Sequence, residues 1–319
     1  MFLHGNPHLD NYVKTDKGAA MIDFDRSRMG PYAWDLVRLL ASIGLKKVKS
    51  NKFLSDIVSD YLLEGYIRSF NAENLPFKSP SVLDKVQPQK WQKSINDYLK
   101  SNNGWAKKLK ENSISTDDLV LNGVLQSYLA SRNESDLLND YFIDKAALAY
   151  GTLQKKRYLV LLSPRKEKNG EKILLDLKSV YQDPDNEWYY NPFGHHGLRM
   201  IKAAEIYAPN IEERLGYATF NEEQYWGRAI PAFAYKIKSK LPETLQLDLA
   251  YSVGTQLGQA HRKSLVDSSP EELYNHLIKH YRQYVIISEV LAKEIEVAYQ
   301  DYLGKLKKRP KKKLIFKVK

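Results

Sequence analysis

Apolar residues recur three and four positions apart in AWDLVRLLASIGLKKV, from Ala33, and again in FLSDIVSDYLLEGYIRSF, from Phe53. Each run predicts an amphipathic helix. The stretch from Asn71 to Pro88 carries several prolines and predicts a connection. WQKSINDYLKSNNGWAKKLK and DLVLNGVLQSYLASR predict further helix, broken at Asn102-Asn103-Gly104. Near residue 145 the period shortens to two. Strands are predicted over Ala146–Leu153, Arg157–Leu162 and Lys172–Lys178, with Lys168-Asn169-Gly170 as a hairpin turn. HGLRMIKAAEIYA predicts a helix, and ERLGYATF and QYWGRAIPAF a second strand pair. LDLAYSVGTQLGQAHRKSL and EELYNHLIKHYRQYVIISEVLAKEIEVAYQDYL return to helical spacing. The expected outline is a hairpin with a helical part over 1–145, a small sheet over 146–240, helices over 241–304 and a basic tail over 305–319.

Length and composition narrow the class. A chain of 319 residues, 43% hydrophobic and 27% charged, is an ordinary globular protein with room for two lobes. No apolar run reaches the ~18 residues of a membrane span, and no signal-peptide pattern opens the chain. Cysteine is absent, which excludes disulfides and thiolate chemistry and suits a reducing cytoplasm, the expected location. The net charge of +11 is mostly a tail property. KLKKRPKKKLIFKVK, Lys305 to Lys319, carries nine basic residues and no acid, so the body is left at about +2. The tail predicts weak, salt-sensitive contact with polyanions rather than a nucleic-acid-binding body.

The opening segment concentrates the chemistry. FLHGNPHLDNYVKTDKGAAMIDFDRSRMGPYAWDLVRL holds two histidines, two asparagines and five aspartates. Val13 and Ala19–Ile22 predict the strands of a short hairpin turning at Asp16-Lys17-Gly18, which brings Asn11 and Asp23 to one end. An amide oxygen beside a carboxylate suits a hard cation such as Mg²⁺. Two alternatives stand beside it: a salt-bridged polar turn, and a His4–His8–Asp10–Asp23 metal cluster for phosphoester hydrolysis.

HGNPHLDN, IDFDRSRMGPYAWDLVRL and the spacing between them resemble the catalytic core of aminoglycoside-phosphotransferase-like kinases: HGDxHxxN, a hairpin, IDW or IDF, then a G-x-P-x-x-D-L turn. HGNPHLDNY, IDFDR, GPYAWDLVRLLAS, YGTLQKKRY, LLDLKSV, YWGRAI and LGQAHRKS also resemble, in the same order, motifs of the bacterial domain-of-unknown-function family twenty-two fifty-two. The resemblance implies an α+β, protein-kinase-like two-lobed fold, with a mainly helical lobe and a small antiparallel sheet lobe. Because the catalytic-loop motif precedes the sheet motifs, it also implies a permuted order. It implies a phosphotransferase using ATP and Mg²⁺, with a small molecule or a protein as acceptor.

Residue by residue, the resemblance makes Asn11 and Asp23 the metal ligands, Asp35 a buried structural acid and His4 a support of the loop. Lys178 would be the nucleotide lysine, Glu205 its acidic partner and Gly151 what remains of a glycine loop. Arg228 matches a family arginine without an assigned role. Two departures weaken the match: Asn6 stands where the motif has its catalytic aspartate, and Pro31 comes one place early. An amide cannot accept the hydroxyl proton, so Asp10 and Asp25 are the nearby acids that would have to substitute. Asn6 therefore leaves two readings of one fold: a weakened phosphotransferase, and a pseudokinase-type nucleotide-binding scaffold.

Overall fold

The computed structural model describes residues 1–15, 18–50, 55–71, 94–100, 104–151, 155–166, 168–231, 235–236 and 242–308. The chain opens with β1 (Phe2–Leu3), a 3-10 turn (Leu9–Asn11), β2 (Tyr12–Thr15), β3 (Gly18–Met21) and β4 (Arg28–Met29). Helices α1 (Ala33–Ser50), α2 (Ser55–Asn71), α3 (Ile95–Lys100) and α4 (Gly104–Glu111) follow, then β5 (Ser113–Ile114), α5 (Leu119–Ser131) and the short α6 (Leu137–Asp140). Next come β6 (Tyr141–Tyr150), β7 (Lys156–Pro164), β8 (Ile173–Ser179), α7 (His196–Tyr207), β9 (Glu213–Phe220), β10 (Glu223–Ala229) and β11 (Tyr235–Lys236). Helices α8 (Glu243–Lys263) and α9 (Pro270–Lys308) complete it. The expected connection over 71–88 and the tail beyond Lys308 lie almost wholly outside the described residues. No described helix is long and apolar enough to cross a membrane.

The fold is mixed α+β. Strands β5-β6-β7-β8-β10-β9, in that order, form a six-stranded antiparallel sheet. Alternation along its strands splits the side chains between two faces. On one face Val160, Leu175, Leu177 and Tyr225 pack against Leu121, Val124 and Leu125 of α5. Helix α5 begins cleanly because Asp118 Oδ1 accepts from Leu121 N at 2.8 Å. The other face carries Leu159, Leu161 and Leu174 against Ile95 and Leu109 of α3 and α4. At its far end Trp226 packs with Met200 and Ile201 of α7. The sheet core therefore gathers helices from well before residue 146, the boundary expected from the change in period. Strand β6 also starts five residues earlier than the alternation suggested. Asp144 interrupts the apolar pattern there, and a register shift between Ile143 and Lys145 absorbs it.

Around the second, helical core, α2 and α8 pack closely enough that a Cβ on Gly254 would lie 2.2 Å from the Leu62 carbonyl oxygen. The β2–β3 hairpin joins this core through Tyr12, Val13 and Met21. Its third strand, β11, comes from the chain leaving the large sheet and pairs with β2. That strand had no periodic signal, since two residues are too few to show one.

Candidate functional site

The loop His4-Gly5-Asn6 is held by one carboxylate. Asp35, buried in the first turn of α1, accepts from His4 N at 2.7 Å and Gly5 N at 2.9 Å. It also accepts from Tyr207 Oη at 3.2 Å and lies 3.2 Å from His261 Nε2, whose Nδ1 is 2.8 Å from Tyr66 Oη. Burial alone would raise the Asp35 pKa. The hydrogen bond and charge of His261, then the charge of His4 and the Gly5 N–H, outweigh it and hold the carboxyl below its usual range. Gly5 is required here. Its φ is +80°, and a Cβ would sit 1.8 Å from the Arg26 carbonyl oxygen. His4 is fully buried, with its ring 5.0 Å from Phe24 and 5.5 Å from Tyr207. Burial lowers its pKa to about 4, so it is a neutral packing group.

Asn6 is not idle. Its Oδ1 accepts from Arg38 Nε at 3.0 Å, one turn along α1 from Trp34. Burial lowers the Arg38 pKa.

The hairpin pairs Tyr12 with Met21, and Ile22 N donates to the Asn11 carbonyl oxygen at 3.0 Å. Asn11 and Asp23 therefore flank the same end of it. The Asn11 side chain is buried, and its Nδ2 has no hydrogen-bond partner among the described residues. Asp23 is exposed and adopts φ +78°, a left-handed conformation that Asp tolerates at a cost of about 1–2 kcal/mol. One buried amide and one outward carboxylate are a fitting pair of oxygen donors for a magnesium ion that keeps water and phosphate in its remaining positions. The His4–His8–Asp10–Asp23 cluster does not form: among the described residues no three His, Asp or Glu side chains gather at metal-binding spacing.

The sheet turns a charged row toward this loop. Arg157, Lys178 and Trp226 are opposite one another on β7, β8 and β10, as are Leu159, Asp176 and Arg228. Lys178 Nζ is ion-paired with Asp25, 153 residues away in sequence. Arg157 Nε lies 2.9 Å from the fully buried Asp176, and Arg228 pairs with Glu212. Burial raises the Glu212 pKa, opposed by Arg228, and the charge of Asp23 acts on both members of that pair. Gly151 sits in the β6–β7 turn, where a Cβ would be 3.9 Å from Lys178 Cε. Tyr98 and Trp105 of α3 and α4 close the far end of the row, with the Arg157 guanidinium 5.0 Å from the Trp105 ring centroid.

Glu205 corrects the expectation placed on it. It is half-exposed and pairs with Lys202 on its own helix at 2.7 Å, while Lys178 takes Asp25. Asp10, an expected substitute base, is exposed on the 3-10 turn. His195 caps α7: its Nδ1 accepts from Gly197 N at 2.9 Å. Sequence reasoning missed Arg199. This buried guanidinium on α7 donates to the carbonyls of Ser27, Asp25 and Tyr181 and so ties α7 to the loop after Asp23. Its spacing gave no signal, because an arginine on an amphipathic helix normally faces water.

Residues 1–68 match the model of APH, the phosphotransferase enzyme family. That part contains the Asn6 loop, Asn11, Asp23, Asp25 and Asp35. No curated protein and no solved structure matches the chain.

Proposed function

We propose that this protein is a kinase-like phosphotransferase that binds ATP with Mg²⁺ and transfers weakly, because Asn6 replaces the general base. The observation that carries the reading is the Lys178–Asp25 pair, which joins the sheet's charged row to the loop just after Asp23. Asn11 and Asp23 would hold the metal, and Lys178 would meet the nucleotide phosphates, drawn from Asp25 by their larger negative charge. Gly151 puts no side chain beside Lys178, and Arg228 with Glu212 stiffens the floor next to Asp23. A kinase-like fold in permuted order would account for the sequence of hairpin, helices, sheet and returning α8, whose His261 reaches the Asp35 hub.

Bound Mg·ATP supplies the electrophilic γ-phosphorus and an ADP leaving group. In transfer, an acceptor oxygen bonds to that phosphorus, the bridging β–γ bond breaks, and the hydroxyl proton leaves. Asn6 orients the hydroxyl but cannot take its proton. The proton would pass to solvent, to Asp10, or to Asp25 once Lys178 has turned to the phosphates. The Asn6–Arg38 bond favours a second reading, a pseudokinase-type scaffold that binds nucleotide without transfer.

The test is calorimetry and thermal shift with Mg·ATP on the parent and on Asp23→Ala. A ligand at ~100 times its Kd adds ~2.7 kcal/mol of stability. The parent should show the shift only when metal and nucleotide are both present, and Asp23→Ala should lose it. Equal binding by the two proteins would remove Asp23 from the site, and no binding by the parent would end the nucleotide reading.

A further inference from the structure

Beside Asn6, α1 presents an aromatic and a cationic side chain. Trp34 is 51% exposed although it lies one residue before the buried Asp35. Its ring centroid is 5.6 Å from that of Tyr189, and the Arg28 guanidinium lies 5.5 Å from the Tyr189 centroid. Gly30 permits this approach, since a Cβ there would be 2.9 Å from Tyr189 Cδ1. The segment carrying Tyr189 is fixed across the loop by paired backbone bonds between Met29 and Tyr190 and by Asp183, which binds both Arg26 and Arg28. Arg38 stands four residues after Trp34, on the same side of α1. It is half-buried and bonded to Asn6.

An exposed indole next to a phenol ring is a stacking platform, and a desolvated guanidinium beside it is an anion receptor. We propose that Trp34, Tyr189 and Arg38 form the acceptor subsite. It takes a hydroxylated ring bearing an anionic group: the ring stacks on Trp34 and the anion meets Arg38, which places a hydroxyl at Asn6. A polycation such as an aminoglycoside fits this subsite less well, because Arg28 flanks Tyr189 and Arg38 lies one turn from Trp34. This assignment rests on the phosphotransferase reading for its role, but binding at the subsite is measured without nucleotide.

The Trp34 indole N–H resonance, assigned by its loss in Trp34→Phe, reports occupancy by NMR. The probes are glucose 6-phosphate and 4-hydroxybenzoate, their neutral counterparts glucose and 4-hydroxybenzyl alcohol, and kanamycin. At least one anionic probe should shift the resonance saturably, more tightly than its neutral partner, and kanamycin should not. Arg38→Gln should weaken the anionic probe about tenfold or more and erase its advantage over the neutral one. Trp34→Ala should weaken both members of a pair alike, read by calorimetry. Melting curves confirm that the variants fold. Tighter binding of kanamycin, silence of both anionic probes, or indifference to both substitutions overturns the subsite. Calorimetry with Mg·ATP separates the two claims. If nucleotide binds but no ring does, only the subsite falls. If a ring binds but nucleotide does not, the phosphotransferase reading falls and the binding site stands.

Discussion

Replacing Asn6 with aspartate restores a base of nearly the same shape, and Arg38 decides how much that restores. The new carboxylate would lie about where Asn6 Oδ1 now accepts from Arg38 Nε at 3.0 Å. An opposite charge within ~4–6 Å lowers an Asp pKa by ~1–3 units, worth ~1.4 kcal/mol each. A general base contributes ~10²–10⁴-fold, and each unit of lost basicity removes up to ~10-fold of that. Asn6→Asp alone should therefore speed ADP release from Mg·ATP into water up to ~10–10³-fold less than an unpaired base there would. Adding Arg38→Gln frees the carboxylate, and the double variant should gain ~10²–10⁴-fold over Arg38→Gln alone. Stability should move the other way. Both groups are partly exposed, so Asn6→Asp should add only ~0.5–1 kcal/mol through its charge-assisted bond, and the double variant should lose it. The assays are ADP release at saturating Mg·ATP and urea denaturation of the same four proteins. The reasoning is refuted if Asn6→Asp alone reaches the full gain and Arg38→Gln adds nothing.

His4 gives a pH dependence with a definite sign. Its folded pKa of about 4 lies below the ordinary 6.5, so the unfolded chain binds the proton more readily. This group's contribution is complete above pH ~6.5 and falls as pH drops toward 4, by about 3 kcal/mol in all. His4→Phe should flatten the slope of denaturation free energy over that window, and an unchanged slope would count against a neutral buried His4. Asp35→Ala should destabilise the fold by ~3–5 kcal/mol, since it leaves His261, Tyr207 and two backbone donors unpaired around a vacated charge; a loss below ~1 kcal/mol would contradict the hub. Lys178→Met should weaken Mg·ATP binding ~10–100-fold, while Glu205→Ala changes it little because its pair with Lys202 is exposed. Calorimetry on both variants separates the two, and equal losses would reinstate Glu205. Removing residues 309–319 should leave Mg·ATP binding intact and lower the salt dependence of polyanion binding; a loss of melting temperature would show that the tail packs.

The sequence by itself determined what depends on neighbours along the chain. The period of AWDLVRLLASIGLKKV placed α1, and the two-residue period of KILLDLKSV placed β8 with Lys178 near its end. The short interval between Asn11 and Asp23 is spanned by a hairpin whose end carries both. Asp35 was marked as a buried acid by the resemblance of GPYAWDLVRL to a family motif, not by spacing, and it is buried. Only the tertiary structure decided which faces met. Periodicity says that β8 has two sides but not which helix covers each, so α5 on the sheet had no local signature. Lys178 pairs with Asp25 rather than Glu205 because the charged row of the sheet faces the loop after β3, while Glu205 points to water on α7. Arg199 reads as a surface cation until three carbonyls from two distant segments converge on it. Arg38 reads as one more polar residue of α1 until the Asp35 hub turns Asn6 toward it. Local spacing fixes where along its element a side chain emerges, but the partner waiting there is set by packing between segments that the chain keeps far apart.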